Sequence, residues 1–474
     1  MSLGKRGANE RQEPIWIEAA SLATPVGHPF YERLNRLLDK RGFDAFAENA
    51  CLSFYAKVGR PGLAPGVYFR ALLVGYFEGI DSERGIAWRT ADSLALRSFL
   101  GFELSQATPD HSTISRTRRL IDVETHRKVF LWVLGMLAEE GLLKGNTVAI
   151  DGTTLEANAA LRSIVRRDTG EAYEEFLKGL AKESGIETPT REQLARLDRK
   201  RNKKGSNDDW KNPHDPDAQI TKLKDGRTHL AHKAEHAVDL ETGAVLAVTL
   251  QPATAGDTNT LPETLTQCGE HIREVAVETS NEAGTEQLNP DGPAELVLDK
   301  GYHSSDVLVI LKEAEVRSYC SEPDRGRRNW IGKEEEKAAV YQNRRRIRGV
   351  RGKRLLRQRG ERVERSFAHM YETGALRRTH LRRHDNIIKR LMIHAGAFNL
   401  GLVMRKLSAC GTPRGLQGRI LGLFSRPHAL FFVLRSILRR FVVHPVNPAD
   451  RFRVTSPDVS YELSILKINC ATGC

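Results

Sequence analysis

Two aspartates follow short apolar runs, in positions where a carboxylate could act as a ligand. Asp299 comes directly after Ala294–Leu298, a run that predicts a buried strand. Asp151 follows a second predicted strand, Thr147–Ile150, in the same way. A carboxylate at the carboxyl end of a strand in an α/β sheet faces the crevice where such folds bind ligands. The two aspartates are therefore candidates for one site.

A third carboxylate, Glu364, lies on a predicted helix over residues 361–373. If it meets Asp151 and Asp299, the three supply the hard oxygen ligands that Mg²⁺ prefers, with water and DNA phosphate completing the shell. Two such ions would activate a water or a 3′-hydroxyl and stabilise the leaving oxygen of an in-line displacement. Flanking arginines also allow a simpler interpretation of Glu364, as one partner of an ion pair on the helix surface.

Other polar residues compete for the same chemistry. Asp257 is a rival for the second ligand, but its place before a predicted helix favours an N-cap. Glu156 could be an accessory ligand or a surface charge, and Asp215 and Asp217 lie in a proline-bearing stretch that favours turns. Three histidines of one predicted strand suggest zinc, yet alternate strand residues point to opposite faces, so convergence is not expected: His229, His232 and His236.

Charge is concentrated in one part of the chain. The 474 residues carry a formal net charge of +13, with 40% hydrophobic and 28% charged residues. Residues 341–390 contain 17 Lys and Arg against 4 acids, and 17 − 4 = 13 accounts for the whole excess. A basic band on an otherwise neutral protein predicts a nucleic-acid partner, although a solvated helical surface is the simpler alternative.

Cysteine usage and the terminal segments bear on location. The six cysteines are scattered and form no CxxC pair, which is typical of a reducing cytosol. The first 14 residues lack the apolar core of a signal peptide, and the apolar stretch ALFFVLRSIL is short and interrupted by Arg435. We therefore expect a cytoplasmic protein without a membrane partner.

The elements that must position these residues change character near residue 144. Residues 29–143 have helical patterns throughout, including a short helix with three arginines that could read DNA in a helix-turn-helix arrangement: Arg116, Arg118 and Arg119. The following α/β unit contains a charged insertion near 161–228, whose second half we expect to be flexible or loop-like, and a hairpin formed by His229–Leu240 and Ala244–Leu250.

Several motifs together resemble one known family. These are GRPGLAPGVYFRALLVGYFEGIDSERGI and PDHSTISRTRR, then AIDGTTLEANA, then DPDAQITKLKDGRTHLAHKAEHAVDLETGAVLAVTLQPATAGDTNTL, and finally LDKGYHS and RVERSFAHMYETGALRR. In order and spacing, from about residue 30 to 400, they resemble the DDE-type bacterial insertion-sequence transposases of the insertion-sequence-5-like branch.

The resemblance implies a fold and a domain organisation. We expect a ribonuclease H-like mixed sheet flanked by helices, preceded by an all-α N-terminal domain. The expected domains are 1–143, helical and DNA-binding; 144–405, catalytic, with the insertion near 161–228; and 406–474, a tail to which no role is assigned.

The resemblance also implies an activity. It makes Asp151, Asp299 and Glu364 the catalytic triad, which binds two Mg²⁺ or Mn²⁺ ions and cuts and joins DNA at the ends of an insertion sequence. The expected partners are double-stranded DNA, as terminal inverted repeats and target, and a second copy of the chain on that DNA. Such a protein would work in the bacterial cytoplasm, at the nucleoid when bound to DNA.

One departure from the family bears on DNA contacts. Related transposases often carry Arg four residues before the glutamate and Lys seven after it, where this chain has Gly360 and Tyr371. Nearby arginines are then the expected phosphate contacts: Arg359, Arg362, Arg365, Arg377 and Arg378. Two other functions remain open, a catalytically inactive DNA-binding derivative and a stand-alone ribonuclease H-like nuclease.

Overall fold

The computed structural model describes residues 27–416, apart from 202–204, 224–225, 280–287, 290, 325 and 327. Most of the expected tail, 406–474, lies outside the described residues. The expected class, an α/β unit with a mixed sheet flanked by helices and preceded by a helical region, is confirmed.

The chain begins with seven described helices. They are α1 Pro29–Lys40, α2 Phe43–Cys51, α3 Pro65–Glu78, α4 Glu83–Asp92, α5 Leu94–Phe99, α6 His111–Leu120 and α7 Val123–Glu139. Asp110 caps α6 by accepting a hydrogen bond from the Thr113 N–H. Ser93 follows the end of α4 and caps α5 by accepting a hydrogen bond from the Leu96 N–H.

Within the described residues, six strands form the main sheet and two short ones form a ribbon. They are β1 Thr147–Glu156, β2 Val165–Arg166, β3 Trp210–Lys211, β4 Gln219–Lys222, β5 Thr228–Asp239, β6 Val245–Pro252, β7 Glu295–Leu298 and β8 Arg317–Cys320. The order β4-β5-β1-β7-β8 describes the sheet, with β6 also paired to β5, and β2 pairs with β3. β1 is parallel to β7 and antiparallel to β5, so the sheet is mixed.

Seven further helices complete the described chain. They are α8 Tyr173–Glu183, α9 Arg191–Lys200, α10 Asp257–Thr279, α11 Ser305–Glu313, α12 Glu334–Arg348, α13 Val350–Phe367 and α14 His384–Ser408. α13 continues into a π-helical segment, Ala368–Thr373. Glu235 of β5 forms a side-chain hydrogen bond with α10, and its neighbour His236 forms one with α13. Because neighbouring strand residues point to opposite faces, these two helices cover opposite faces of the sheet.

One expectation about a single element was wrong, and one is refined. β1 does not end at Ile150, because the long antiparallel strand β5 continues to pair with it from Asp151 to Glu156. The described residues of the insertion's second half are mostly loop and turn, and Trp210 fixes them in place: its ring is buried against Tyr173 and Phe176, with ring centroids 5.0 and 5.2 Å away. These aromatic contacts give the insertion a small core of its own.

One apolar core runs through the N-terminal helices, the sheet and α14. The segment His384–Leu416, which contains α14, is the one described helix long and apolar enough to cross a membrane, but most of it is buried in this core. Burial of that kind is what the central helix of a globular protein shows, so the segment gives only weak support for a membrane span.

Candidate active site

Asp151 and Asp299 lie side by side on neighbouring parallel strands. Ile150 of β1 pairs with Leu298, the last residue of β7, and the two aspartates directly follow this pair. Adjacent strands are about 4.8 Å apart. The Asp151 side chain is 26% exposed and that of Asp299 is 44% exposed. The predicted pairing of these two carboxylates at the end of β7 is what the structure shows.

A single arginine joins the two carboxylates. Arg359 of α13 donates from Nη1 to Asp151 Oδ2 at 2.6 Å, and its Nη2 lies 3.6 Å from Asp299 Oδ1. Burial raises the pKa of the Asp151 carboxyl, and the charge of Asp299 adds to the rise. The Arg359 guanidinium and the Gly152 N–H oppose it. The site is therefore a carboxylate pair partly neutralised by one bridging cation.

Glu364 is not brought into this pair. It is exposed on α13, five residues after Arg359, which places it about 140° around the helix axis. The inward face of α13 at this level carries Val363 and Ser366, both buried. Throughout the described ranges, no three His, Cys, Asp or Glu side chains form a group that could hold a metal ion.

The donor chemistry of the pair nevertheless fits a divalent ion. Mg²⁺ is commonly bound by one or two carboxylates, several waters and substrate phosphates rather than by an all-protein cage. Asp151 and Asp299 supply two such carboxylates on rigid strands, and the partial exposure of Asp299 leaves room for water and phosphate. An ion at this position would replace the contacts that Arg359 makes now.

A buried polar network supports the pair from the other face of the sheet. Lys233 Nζ lies 3.0 Å from Glu235 Oε1 and donates to Asp257 Oδ1 at 2.6 Å. Tyr302, three residues after Asp299, donates to Glu235 Oε1 at 2.9 Å. Burial raises the pKa of the Tyr302 hydroxyl, with Glu235 the next largest cause, so this hydroxyl remains a donor at neutral pH.

Sequence reasoning missed this network and misplaced Asp257. Asp257 is the first residue of α10 and its carboxylate binds Lys233, so it does not act as the expected N-cap. A Cβ at position 301 would lie 2.1 Å from Asp257 Oδ2, which explains the glycine in the turn after Asp299. The available signal was the alternation of Lys233 and Glu235 on one face of β5.

The three histidines of β5 have separate partners. His232 Nε2 lies 3.2 Å from Asp215 Oδ2, and its Nδ1 lies 3.0 Å from the His384 ring. His236 bridges Ser366 at 3.0 Å and Tyr371 at 2.5 Å. Burial lowers the pKa of His236 to about 3, so this ring is neutral at physiological pH. These contacts tie β5 to the insertion and to α13.

Glu156 and Asp217 also have structural partners. Glu156 lies 3.7 Å from the His229 ring and 3.6 Å from Arg378. Asp217 accepts a hydrogen bond from the His384 N–H at 3.0 Å. Glu156 therefore takes part in contacts at the far end of β1, five residues beyond Asp151, and Asp217 helps to fix the start of α14.

The arginines predicted to bind DNA divide by accessibility. Arg118 is a correction: it is 7% exposed and its Nε donates to Glu83 at 2.7 Å, so its guanidinium is already occupied. The same helix exposes its other two arginines to solvent: Arg116 and Arg119. Of the remaining five, Arg359 bridges the aspartates, and Arg362 and Arg365 lie half-buried on α13. Arg377 and Arg378 are exposed beyond the π-helical segment.

Comparison with known proteins gives two family matches. A family model described as "Transposase DDE domain" matches residues 144–400, which is more than half of the chain and contains both aspartates and α13. A second, described as "Transposase domain (DUF772)", matches residues 20–120 in the helical region. No curated protein and no solved structure matches the chain.

Proposed function

This chain belongs to the DDE-type insertion-sequence transposases, with the ribonuclease H-like fold that the DDE domain implies, and from that premise we propose that it cuts and joins DNA ends in a metal-dependent reaction. One observation carries the proposal: Asp151 and Asp299 directly follow Ile150 and Leu298, the last paired residues of two adjacent parallel strands. The ion would be Mg²⁺ or Mn²⁺, and two ions would serve the in-line displacement.

The residues of the chain have distinct parts in this proposal. A divalent ion held by the aspartates would supply Lewis-acid stabilisation of the charge that develops on the phosphate oxygens. Asp151 and Asp299 are fixed by the strands, so they present their oxygens without reorganising. Arg359, once released from them, has a planar set of donors suited to bidentate contact with a DNA phosphate.

Glu364 is proposed as the third carboxylate. In the described conformation it points away from the aspartates, so this role requires a movement of α13 when DNA binds. Glu361 is the matched control, because it is exposed on the same helix and pairs with Arg365 at 3.3 Å. If Glu364→Gln and Glu361→Gln leave DNA cleavage equally active, Glu364 is not part of the catalytic machinery.

DNA would be held by two surfaces. We assign one to the helical domain, residues 1–143, through Arg116 and Arg119, and the other to the catalytic domain, 144–405. The second surface includes the arginines of α13 and those just beyond it: Arg359, Arg362, Arg365, Arg377 and Arg378. The substrates would be terminal inverted repeats and target DNA, bound by a homodimer in the cytoplasm at the nucleoid.

The decisive experiment is an end-cleavage assay on a labelled duplex that carries the inverted repeats flanking the coding region. The wild-type protein should cut it with Mg²⁺ or Mn²⁺. Asp151→Asn and Asp299→Asn should each abolish cutting while DNA binding is retained, because Asn keeps the side-chain size and removes the charge. Undiminished cutting by either variant would refute that residue's assignment.

A second candidate is a catalytically inactive DNA-binding derivative of such a transposase. The position of Glu364, exposed and turned away from the carboxylate pair, favours it. It predicts that the wild-type protein binds the end duplex and cuts nothing with either ion. Metal-dependent cutting by the wild-type protein would exclude it.

A further inference from the structure

A basic groove lies between the β5–β6 turn, α13 and the last turns of α14. Its volume is about 250 Å³. Four cations line it: Arg362 and Arg365 from α13, and Arg405 and Lys406 from α14. Gly243 of the turn and an apolar wall that includes Phe398 complete the lining. The carboxylate pair contributes nothing to this lining.

The charges in the groove are only half compensated. Arg365 pairs with Glu361 at 3.3 Å, and Lys406 pairs with Glu140 at 3.2 Å. The other two cations, Arg362 and Arg405, have no acidic partner within the part of the chain that the structure describes. The groove therefore has an excess of about two positive charges, which an anion would neutralise.

The walls of the groove are fixed by buried contacts. Asn399 of α14 donates to the Val245 carbonyl at 2.8 Å and accepts from the Val245 N–H at 2.9 Å, which ties the helix to the start of β6. Gly243 has a φ of +83°, and a Cβ there would lie 3.1 Å from Arg362 Nη1. Glycine therefore lets Arg362 lie across the turn.

The positive charge of the groove lowers the pKa of a neighbouring histidine, His369. Burial lowers the pKa of His369, and Arg405 and Arg365 lower it further. His369 is therefore neutral near physiological pH and adds no charge of its own. The excess charge thus comes from the two uncompensated arginines, whose side chains are half-buried (Arg362) and exposed (Arg405).

The groove is close to the carboxylate pair along both elements that they share. Arg362 follows Arg359 by three residues, about 4.5 Å along α13. In the sheet, Asp239 beside the turn pairs with Val148, three residues before Asp151 and about 10 Å from it.

We propose that this groove binds one backbone phosphate of the DNA, beside the segment held at the carboxylate pair. The inference rests on the proposed function, because it takes the occupant to be DNA. A phosphorylated small molecule presents the same phosphate chemistry, so the test must separate the two sources.

The test measures how DNA binding depends on salt, with the full chain and a labelled duplex of random sequence. Each phosphate contact contributes about 0.9 to the slope of log K against log salt concentration. The double variant Arg362→Gln/Arg405→Gln should lower this slope by about 1, equally for different DNA sequences. The charge-conserving pair Arg362→Lys/Arg405→Lys should restore it, which a merely structural role would not predict.

The control removes two exposed cations elsewhere, in Arg273→Gln/Lys312→Gln, and should leave the slope unchanged. An unchanged slope in the groove variant, or no duplex binding by the wild-type protein, would overturn the proposal. The proposal would also be overturned if the wild-type protein bound adenosine monophosphate saturably and the groove variant lost this binding while its salt dependence of DNA binding stayed the same. This test measures no cleavage. If the end-cleavage assay fails, a reduced salt dependence in the groove variant would therefore still support phosphate binding by the groove.

Discussion

Replacing Arg359 with alanine should tighten the binding of Mn²⁺ to the protein in the absence of DNA. In the structure, the guanidinium donates to Asp151 at 2.6 Å and lies 3.6 Å from Asp299. An ion that uses both carboxylates must displace these contacts. The wild-type protein therefore loses an existing interaction on binding metal, and the variant does not.

The size of the effect follows from the exposure of the ion pair. Arg359 is 16% exposed and Asp151 26%, so solvent screens the contact only in part. Hydrogen bonds to charged groups contribute about 1.5–3 kcal/mol, and every 1.4 kcal/mol is about tenfold in affinity. The dissociation constant for Mn²⁺ should therefore fall by roughly 10- to 100-fold.

The gain should shrink on acidification. Burial already raises the pKa of Asp151, and Arg359 lowers it, so the Arg359→Ala variant has the higher pKa of the two proteins. Metal binds the deprotonated carboxylate. As pH falls, Asp151 is therefore protonated earlier in the variant than in the wild-type protein, and the advantage of the variant decreases.

Isothermal titration calorimetry with Mn²⁺ at neutral and mildly acidic pH measures both effects. Arg357→Ala is the matched control, because Arg357 is exposed on the same helix two residues earlier. It should leave the affinity unchanged. Equal or weaker Mn²⁺ binding by Arg359→Ala at neutral pH would show that the guanidinium does not compete with the ion.

Three further predictions concern stability. Arg118→Ala should cost about 3–5 kcal/mol in urea unfolding, since it leaves Glu83 unpaired, whereas exposed Arg119→Ala should change stability by less than about 0.5 kcal/mol; equal effects would contradict the burial of Arg118. Burial lowers the pKa of three histidines to about 3, 3 and 4: His126, His236 and His271. Since the unfolded chain protonates them near pH 6.5, stability should be constant above that pH and fall below it by up to about 1.4 kcal/mol per pH unit for each ring; a flat pH profile of the unfolding midpoint from 6.5 to 5 would contradict this. Trp210→Ala should remove about 3–5 kcal/mol of packing from the insertion and make residues 161–228 the first site of limited proteolysis; digestion that starts elsewhere would contradict it.

Local patterns predicted the frame of the site well. The apolar run before Asp299 predicted one strand, and the segments around Glu241–Gly243 predicted a hairpin; both are present, as β7 and as β5 and β6. Parallel pairing of β1 with β7 then sets the two aspartates side by side. The sequence could not show that Asp151 lies inside β1, because the length of that strand depends on its partner, β5.

The helix that closes the site was harder to predict. Residues 350–360 read VRGKRLLRQRG and contain few apolar positions, so the predicted helix began at residue 361 while α13 begins at Val350. Arg359 therefore looked like a loop residue that binds phosphate. Which arginine of the basic band faces the carboxylates depends on how α13 packs on the sheet, and this is a tertiary property.

The geometry of α13 also constrains how a third carboxylate could arrive. Arg359 and Glu364 lie about 140° apart on one helix, so they cannot both face the aspartates in the same helical register. Val363 and the Ser366–His236 hydrogen bond hold the present register. The π-helical segment Ala368–Thr373 follows directly, and such segments contain one extra residue per turn. Converting that turn to α-helix would rotate α13 by about 100° around its own axis. For one of the two directions of rotation, Glu364 would come to about 40° from the site and Arg359 would turn away. Arg359, which binds the aspartates without metal, and Glu364, the proposed third carboxylate, would then exchange places because one helical turn changes its conformation.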